Sequence, residues 1–165
     1  MKFIKIFLAA ITVISCLLLS SCSGNEKPDM TAFITEVQKI SELYLLKIYH
    51  GDYLEFTQGK NERNIIYTGE ALIGIDLKDS NFKCKNDKYI IKLPVPNVKN
   101  VKLIEKECQV VSSKGKYFAW KHTAENILKE KVNKKEYIDS AKEQAEQLFK
   151  AIFESQGYTV EIVWK

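Results

Sequence analysis

The chain has 165 residues, of which 45% are hydrophobic and 28% charged, with 25 Lys and Arg against 21 Asp and Glu for a formal net charge of +4. That length suits one domain rather than several. Lysines and acids are interleaved, so no basic block is present and a nucleic-acid partner is excluded.

In chain order, Lys2 and Lys5 precede an apolar run from Ile6 to Leu19, and Ser20 and Ser21 follow. This is the three-part layout of a secretory signal peptide. The run is shorter than the roughly 20 residues a helix needs to cross a bilayer, so a permanent span is the weaker reading. The tetrad Leu19-Ser20-Ser21-Cys22 resembles the lipobox of bacterial lipoproteins: an aliphatic residue, two small residues, then a cysteine. Small side chains fit the peptidase groove, and the thiol is the nucleophile that carries a thioether-linked diacylglycerol. The resemblance implies that residues 1–21 are removed, that Cys22 is lipidated, and that the protein stays on a membrane of the cell envelope. One acyl chain holds a protein marginally, whereas two or three hold it stably. Loss of Lys2 and Lys5 would lower the net charge by two, to +2, which is close to neutral.

Residues 22–30, with Gly24 and Pro28, read as a polar tether, and residues 31–165 as a single domain. Phe33, Val37 and Ile40 stand at helical spacing between Thr31 and Ile40. Ser41 to Thr57 is rich in Tyr, Leu, Ile and Phe and reads as a strand, or as two strands bent at Gly51-Asp52. A polar loop is expected from Gln58 to Asn64. From Asn64 to Leu77 the chain reads as extended segments, with Gly69 and Gly74 marking bends or a close approach of another backbone. Asn86-Asp87 supply turn residues for a hairpin in which Tyr89, Ile91 and Leu93 alternate with Ile90 and Lys92. Pro94 and Pro96 end it, since neither donates to a ladder.

Val101 to Val111 is a further strand candidate, followed by a loop at Ser112 to Lys116. The period then changes. Thr123 is expected to cap a helix running to about Lys131. Asn133 with Glu136 three residues later has the logic of a capping box. The helix it opens carries Ile138, Ala141, Ala145, Leu148 and Ile152, spaced 3, 4, 3 and 4. Gly157 is placed to end that helix, and Tyr158, Val160, Ile162 and Trp164 alternate onto one face of a final strand. The expected fold is α+β: a mainly antiparallel sheet, two C-terminal helices on one face, and a C-terminal strand returning to the sheet.

"ISELYLLKIYHGDYLEF", "YTGEALIGIDL" and "IIKLPVPNV", followed by two helices and a last strand, resemble the bacterial family catalogued as the domain of unknown function 4230. Gly74-Ile75-Asp76-Leu77 and Leu93-Pro94-Val95-Pro96 are its most specific pieces, and the likeness extends over about residues 35 to 164. The resemblance implies an α+β domain, commonly joined to a membrane segment or a signal sequence. That family has no established activity, so no site residue is carried over from it.

The residues themselves offer few candidates for chemistry. Asp76, at a strand end, suits a cation or a base, although a lone carboxylate there more often serves as a turn acceptor. His50, beside Gly51-Asp52, and His122, before a helix start, are the only histidines. Zinc or acid–base chemistry needs them to converge with other groups. No metal and no cofactor is expected, since the chain lacks a His-Glu-x-x-His, a paired Cys-x-x-Cys and a phosphate-cradling glycine loop. Ser113 and Lys116 form an isolated Ser-x-x-Lys without the companion motifs that give it meaning. Cys16 leaves with the leader, so Cys84 and Cys108 are the remaining thiols. A bond between them would stabilise by about 3.5 kcal/mol in the chain-entropy model, if two strands bring them face to face; otherwise they are separate thiols. Tyr44, Tyr49, Tyr53, Phe56 and Tyr67 are candidates for a sugar or peptide groove, or for sheet packing. The expected activity is therefore non-catalytic binding of an envelope protein or a small ligand. The alternative is a small envelope hydrolase built on Asp76 with His50 or His122.

Overall fold

The computed structural model describes residues 27–115 and 119–165. The expected leader, Cys22 and most of the tether lie outside the described residues, as does Lys116. The fold is α+β, with a sheet-rich first part, two late helices and a C-terminal strand.

A short helix α1 (Thr31–Val37) opens the described chain and buries Phe33 and Val37. The packed body reaches back beyond it: Met30 is fully buried, and the Tyr158 hydroxyl donates to the Pro28 carbonyl at 2.9 Å. Strand β1 (Leu43–Gln58) and strand β2 (Asn61–Ile75) form a long antiparallel hairpin whose register ends at Gln58 opposite Asn61. The expected polar loop there shrinks to the two-residue turn Gly59-Lys60. Gly51-Asp52 does not break β1, because β2 pairs with it without interruption on both sides. The one irregularity is a bulge between Tyr44 and Leu46.

After a 3₁₀ turn (Leu77–Asp79), strands β3 (Asn81–Lys85) and β4 (Lys88–Leu93) make the expected second hairpin. Asn86 and Asp87 have φ of 50° and 62°, the paired positive values of a type I′ turn. The segment read as one strand over Val101 to Val111 is two: β5 (Asn97–Leu103) and β6 (Gln109–Lys114), separated by a 3₁₀ turn at Glu105–Glu107. They lie end to end along the free side of β2, β5 against Gly69–Gly74 and β6 against Glu62–Ile66.

Helix α2 (Lys121–Val132) begins two residues before Thr123, which sits inside it and caps nothing; buried Trp120 stands at the N-cap. Asn133 closes α2, and Lys134, with no side-chain cap bond, opens helix α3 (Lys135–Glu154), so the expected capping box does not form. The buried stripe of α3 is Ala141, Ala145, Phe149 and Phe153, a strict four-residue step, and Leu148 is 39% exposed. Two alanines let the helix approach closely, and two phenylalanines then fill the space beyond them. Gly157, with φ of 81°, turns the chain into strand β7 (Thr159–Trp164), where Val160, Ile162 and Trp164 face the core as expected.

The strands form two sheets rather than one. Four-stranded sheet A holds β1, β2, β5 and β6, and three-stranded sheet B has the order β3-β4-β7. Pairing is antiparallel except for β4 with β7, which run parallel. Each sheet has its own core, and α3 spans both. Its Ala141 joins Ile65, Tyr67, Ile73 and the α2 residues Ala124, Leu128 and Val132 beneath sheet A. Its Phe149 and Phe153 join Phe33, Tyr89, Ile91 and Leu93 beneath sheet B. Phe153 lies 4.6 Å from the Tyr89 ring and 5.8 Å, edge to face, from Phe33. Such aromatic pairs add roughly 0.5–1.5 kcal/mol beyond burial.

Candidate functional site

Alternation along β2 sorts sheet A into two faces. Arg63, Ile65, Tyr67, Ala71, Ile73 and Ile75 are buried beneath the helices, while Glu62, Ile66 and Glu70 point the other way. Gly69 lies on the helix-covered face, where an added Cβ would run into the Leu128 side chain and lie 3.0 Å from the Lys102 carbonyl oxygen. Close approach, as its type suggested, explains this glycine. α2 presses directly on β2 at this point.

His50 is opposite Gly69 in the β1–β2 register and is therefore drawn under the same helix. Its Nε2 is buried with no hydrogen-bond partner among the described residues. Burial, followed by the nearby positive charges of Lys131 and Lys134, lowers its pKa, so the ring is held neutral. Its neighbour on the same face, Asp52, forms an ion pair with Lys131 and accepts the Tyr53 N–H at 2.8 Å. Opposite Asp52 stands Tyr67, fully buried, whose hydroxyl also has no partner among the described residues and whose pKa burial raises. Tyr67 belongs to the core, whereas half-buried His50 and Asp52 lie at its margin, Asp52 still 30% exposed.

Asp76 lies seven residues beyond Gly69, about 23 Å at 3.3 Å per strand residue, and so far from His50. Its carboxylate accepts the Lys78 N–H at 3.0 Å and caps the 3₁₀ turn, the turn-acceptor role. His122 is exposed in the first turn of α2, its Nε2 3.3 Å from the Asn126 amide. It borders a shallow depression of about 200 Å³ with Val98, Asn100, Glu125 and Lys129. Asp76 and His50 do not converge, which takes that one of the two acid–base pairs out of the hydrolase reading. Ser113 lies on β6 opposite Arg63. Cys84 and Cys108 are free thiols, and the bond between them is not made: Cys84 is exposed on β3 of sheet B, and Cys108 sits after the second 3₁₀ turn with its Sγ 3.4 Å from the Ile104 carbonyl. Among the described residues no group of three or more His, Cys, Asp or Glu could hold a metal ion, and no helix is long and apolar enough to cross a membrane.

The aromatic candidates divide. Tyr67 and Phe56 point to the helix side, whereas Tyr49 and Tyr53 stand on the outer face of β1, 61% and 45% exposed. Ile66, 45% exposed, lies directly opposite Tyr53. The helix residues that cover sheet A meet only its other face. Tyr49 is opposite Glu70, and Glu70 is opposite Lys102. Glu70 is a residue that sequence patterning missed. It receives Lys102 at 2.8 Å and Lys47 at 2.6 Å, and these two, Lys102 foremost, hold its carboxyl below the ordinary glutamate value. The Lys47 ammonium also lies 4.8 Å from the Tyr49 ring centroid, a cation–π contact. Beside this row is an open depression of about 390 Å³ lined by Tyr49, Glu70, Lys102, Ile104, Lys106 and Glu107. Ring faces and fixed charges are there, but no nucleophile paired with a base.

No curated protein and no solved structure matches the chain. The sequence profile of the family described as "Protein of unknown function (DUF4230)" matches residues 35–163, from the end of α1 to the last turn of the β7 ladder, and the chain belongs to that family.

Proposed function

We propose that the protein is a lipid-anchored component of the bacterial cell envelope whose body binds a partner or small ligand without catalysis. The anchor reading rests on Leu19-Ser20-Ser21-Cys22 at the end of the apolar run. The binding reading rests on one observation: Tyr49, Tyr53 and Ile66 share an exposed face of sheet A, adjoining the Glu70 charge row. Exposed tyrosines with a polar surround are the composition of interface cores and rims, since their rings add contact area at small entropic cost. The separation of His50 from Asp76 supports binding over hydrolysis.

Two measurements test the two halves separately. Growth with a radioactive fatty acid should label the parent and leave Cys22→Ser unlabelled; equal label in both would refute lipidation at that residue. Cross-linking in intact cells, followed by purification, should capture an envelope partner or ligand with the parent and lose it with Tyr49→Ala/Tyr53→Ala. Capture that is indifferent to the two tyrosines would show that this face is not the one used.

A further inference from the structure

Among the described residues the outer edge of β1 pairs with no other strand. The strand runs 16 residues, about 53 Å, and among the described residues only β2 pairs with it. Unpaired backbone along a strand of that length is a template for another strand.

Gly51, at its centre, is not required by the chain's own fold. It is not among the glycines with positive φ, and an added Cβ would meet Thr68 Oγ1 and the Tyr67 carbonyl at 3.4 Å, ordinary contact. A mid-strand glycine weakens a strand and commonly marks the close approach of another backbone. Outward from Gly51 the sequence is chemically symmetric: Tyr53 answers Tyr49, Leu54 answers Ile48, the acid Asp52 answers the imidazole of His50, and Glu55 answers Lys47 with the opposite charge.

We infer that two copies of this chain pair antiparallel along β1, with Gly51 against Gly51 on a two-fold axis. A two-fold interface brings residue i against j and j against i, so each residue meets the one equally far beyond Gly51. Lys47 then faces the partner's Glu55, and Tyr49 faces the partner's Tyr53, each pair occurring twice on the outer face. The gap at the glycines lies between the two tyrosine pairs, which close over it. His50 faces the partner's Asp52 on the helix side.

Charge complementarity selects both the occupant and the register. A slip of two residues one way sets Asp52 against Asp52, and the other way sets His50 against His50 with Asp52 against Ile48. A slip of one residue exchanges the faces altogether. Lys47 and Lys102 each hold one oxygen of Glu70, so the row keeps one net positive charge for the partner's Glu55 to meet. Glu55 makes no ion pair among the described residues. The result is an eight-stranded sheet A in which the two outer tyrosine faces become one. This goes beyond the binding reading above and depends on neither the lipid nor its ligand.

Sedimentation equilibrium of the full chain, corrected for bound detergent, should give twice the chain mass. Gly51→Lys places like charges opposite each other on the axis and should raise the dimer dissociation constant roughly tenfold or more, as should Gly51→Glu. An equimolar mixture of the two variants should dimerise again. Glu55→Lys should dissociate the dimer, and Lys47→Glu/Glu55→Lys should restore it. Unchanged thermal melting of each variant separates loss of pairing from loss of fold. A monomeric parent, or a dimer that Gly51→Lys leaves intact, overturns the inference.

Discussion

Replacing Gly69 with alanine tests how closely α2 presses on sheet A. In a site with room, Gly to Ala stabilises by about 0.4–1 kcal/mol, because the unfolded chain loses freedom. Gly69 has no room: the new Cβ would overlap the Leu128 side chain and sit 3.0 Å from the Lys102 carbonyl oxygen, part of the β2–β5 ladder. Overpacking of this kind costs about 1–3 kcal/mol. The expected net effect is a destabilisation of about 1–2 kcal/mol, or a melting temperature lowered by roughly 3–6 °C for a chain of this size. Leu128 is fully buried, so Leu128→Ala alone should cost about 2–5 kcal/mol. In Gly69→Ala/Leu128→Ala the overlap is gone and the added methyl enters the vacated space. The double variant should therefore be more stable than the sum of the singles by about 1 kcal/mol or more. Rescue stays partial because the Lys102 carbonyl cannot move away. Urea denaturation followed by circular dichroism of the four proteins measures each term. A stabilised Gly69→Ala, or additive single effects, would refute the reasoning.

Three further outcomes follow from the same geometry. The lowered pKa of His50 means that the unfolded chain binds its proton more readily, so stability is complete above the unfolded value of about 6.5 and falls as pH drops below it. Melting curves from pH 7 to pH 5 should show that fall, and His50→Gln should remove part of it. Phe153→Ala should cost about 3–5 kcal/mol in chemical denaturation, since the ring is fully buried against Phe33, Phe82 and Tyr89. Thiol titration of the folded protein should find Cys84 and Cys108 both reactive, with exposed Cys84 the faster, and no mass deficit of two protons between them.

Local signals carried much of the fold. Asn86-Asp87 announced the β3–β4 hairpin, the alternation from Tyr158 to Trp164 announced β7, and the apolar period from Ile138 announced α3, because each is set by neighbours in sequence. The misreadings share one cause. Gly51-Asp52 does not bend β1 because a distant partner, β2, holds both sides in one ladder. Thr123 and Asn133 looked like caps, yet the helix ends follow the anchoring of Trp120 and Val132 in the sheet A core. The division into two sheets depends on pairings between remote segments. The candidate site was half legible: Tyr49 and Tyr53 were visible as residue types, but their outward direction required the strand to be continuous. Glu70 was unreadable without the register that sets it between Lys47 and Lys102.

The parallel pairing of β4 with β7 has a consequence for how the chain is made. Every pair in that ladder joins residues 71 positions apart, from Lys88 with Thr159 to Leu93 with Trp164. The β1–β2 hairpin can close once Ile75 is synthesised, but sheet B waits for Thr159–Trp164. Until they arrive, β4 keeps one edge bare and Ile91 and Leu93 lack their final cover, so assembly is late and limited by a long loop closure. A chain stopped before Thr159 would lose one strand by count and a whole core in effect. It would expose that core as an unfinished product, although every described helix and four of the five strand pairings would already be encoded.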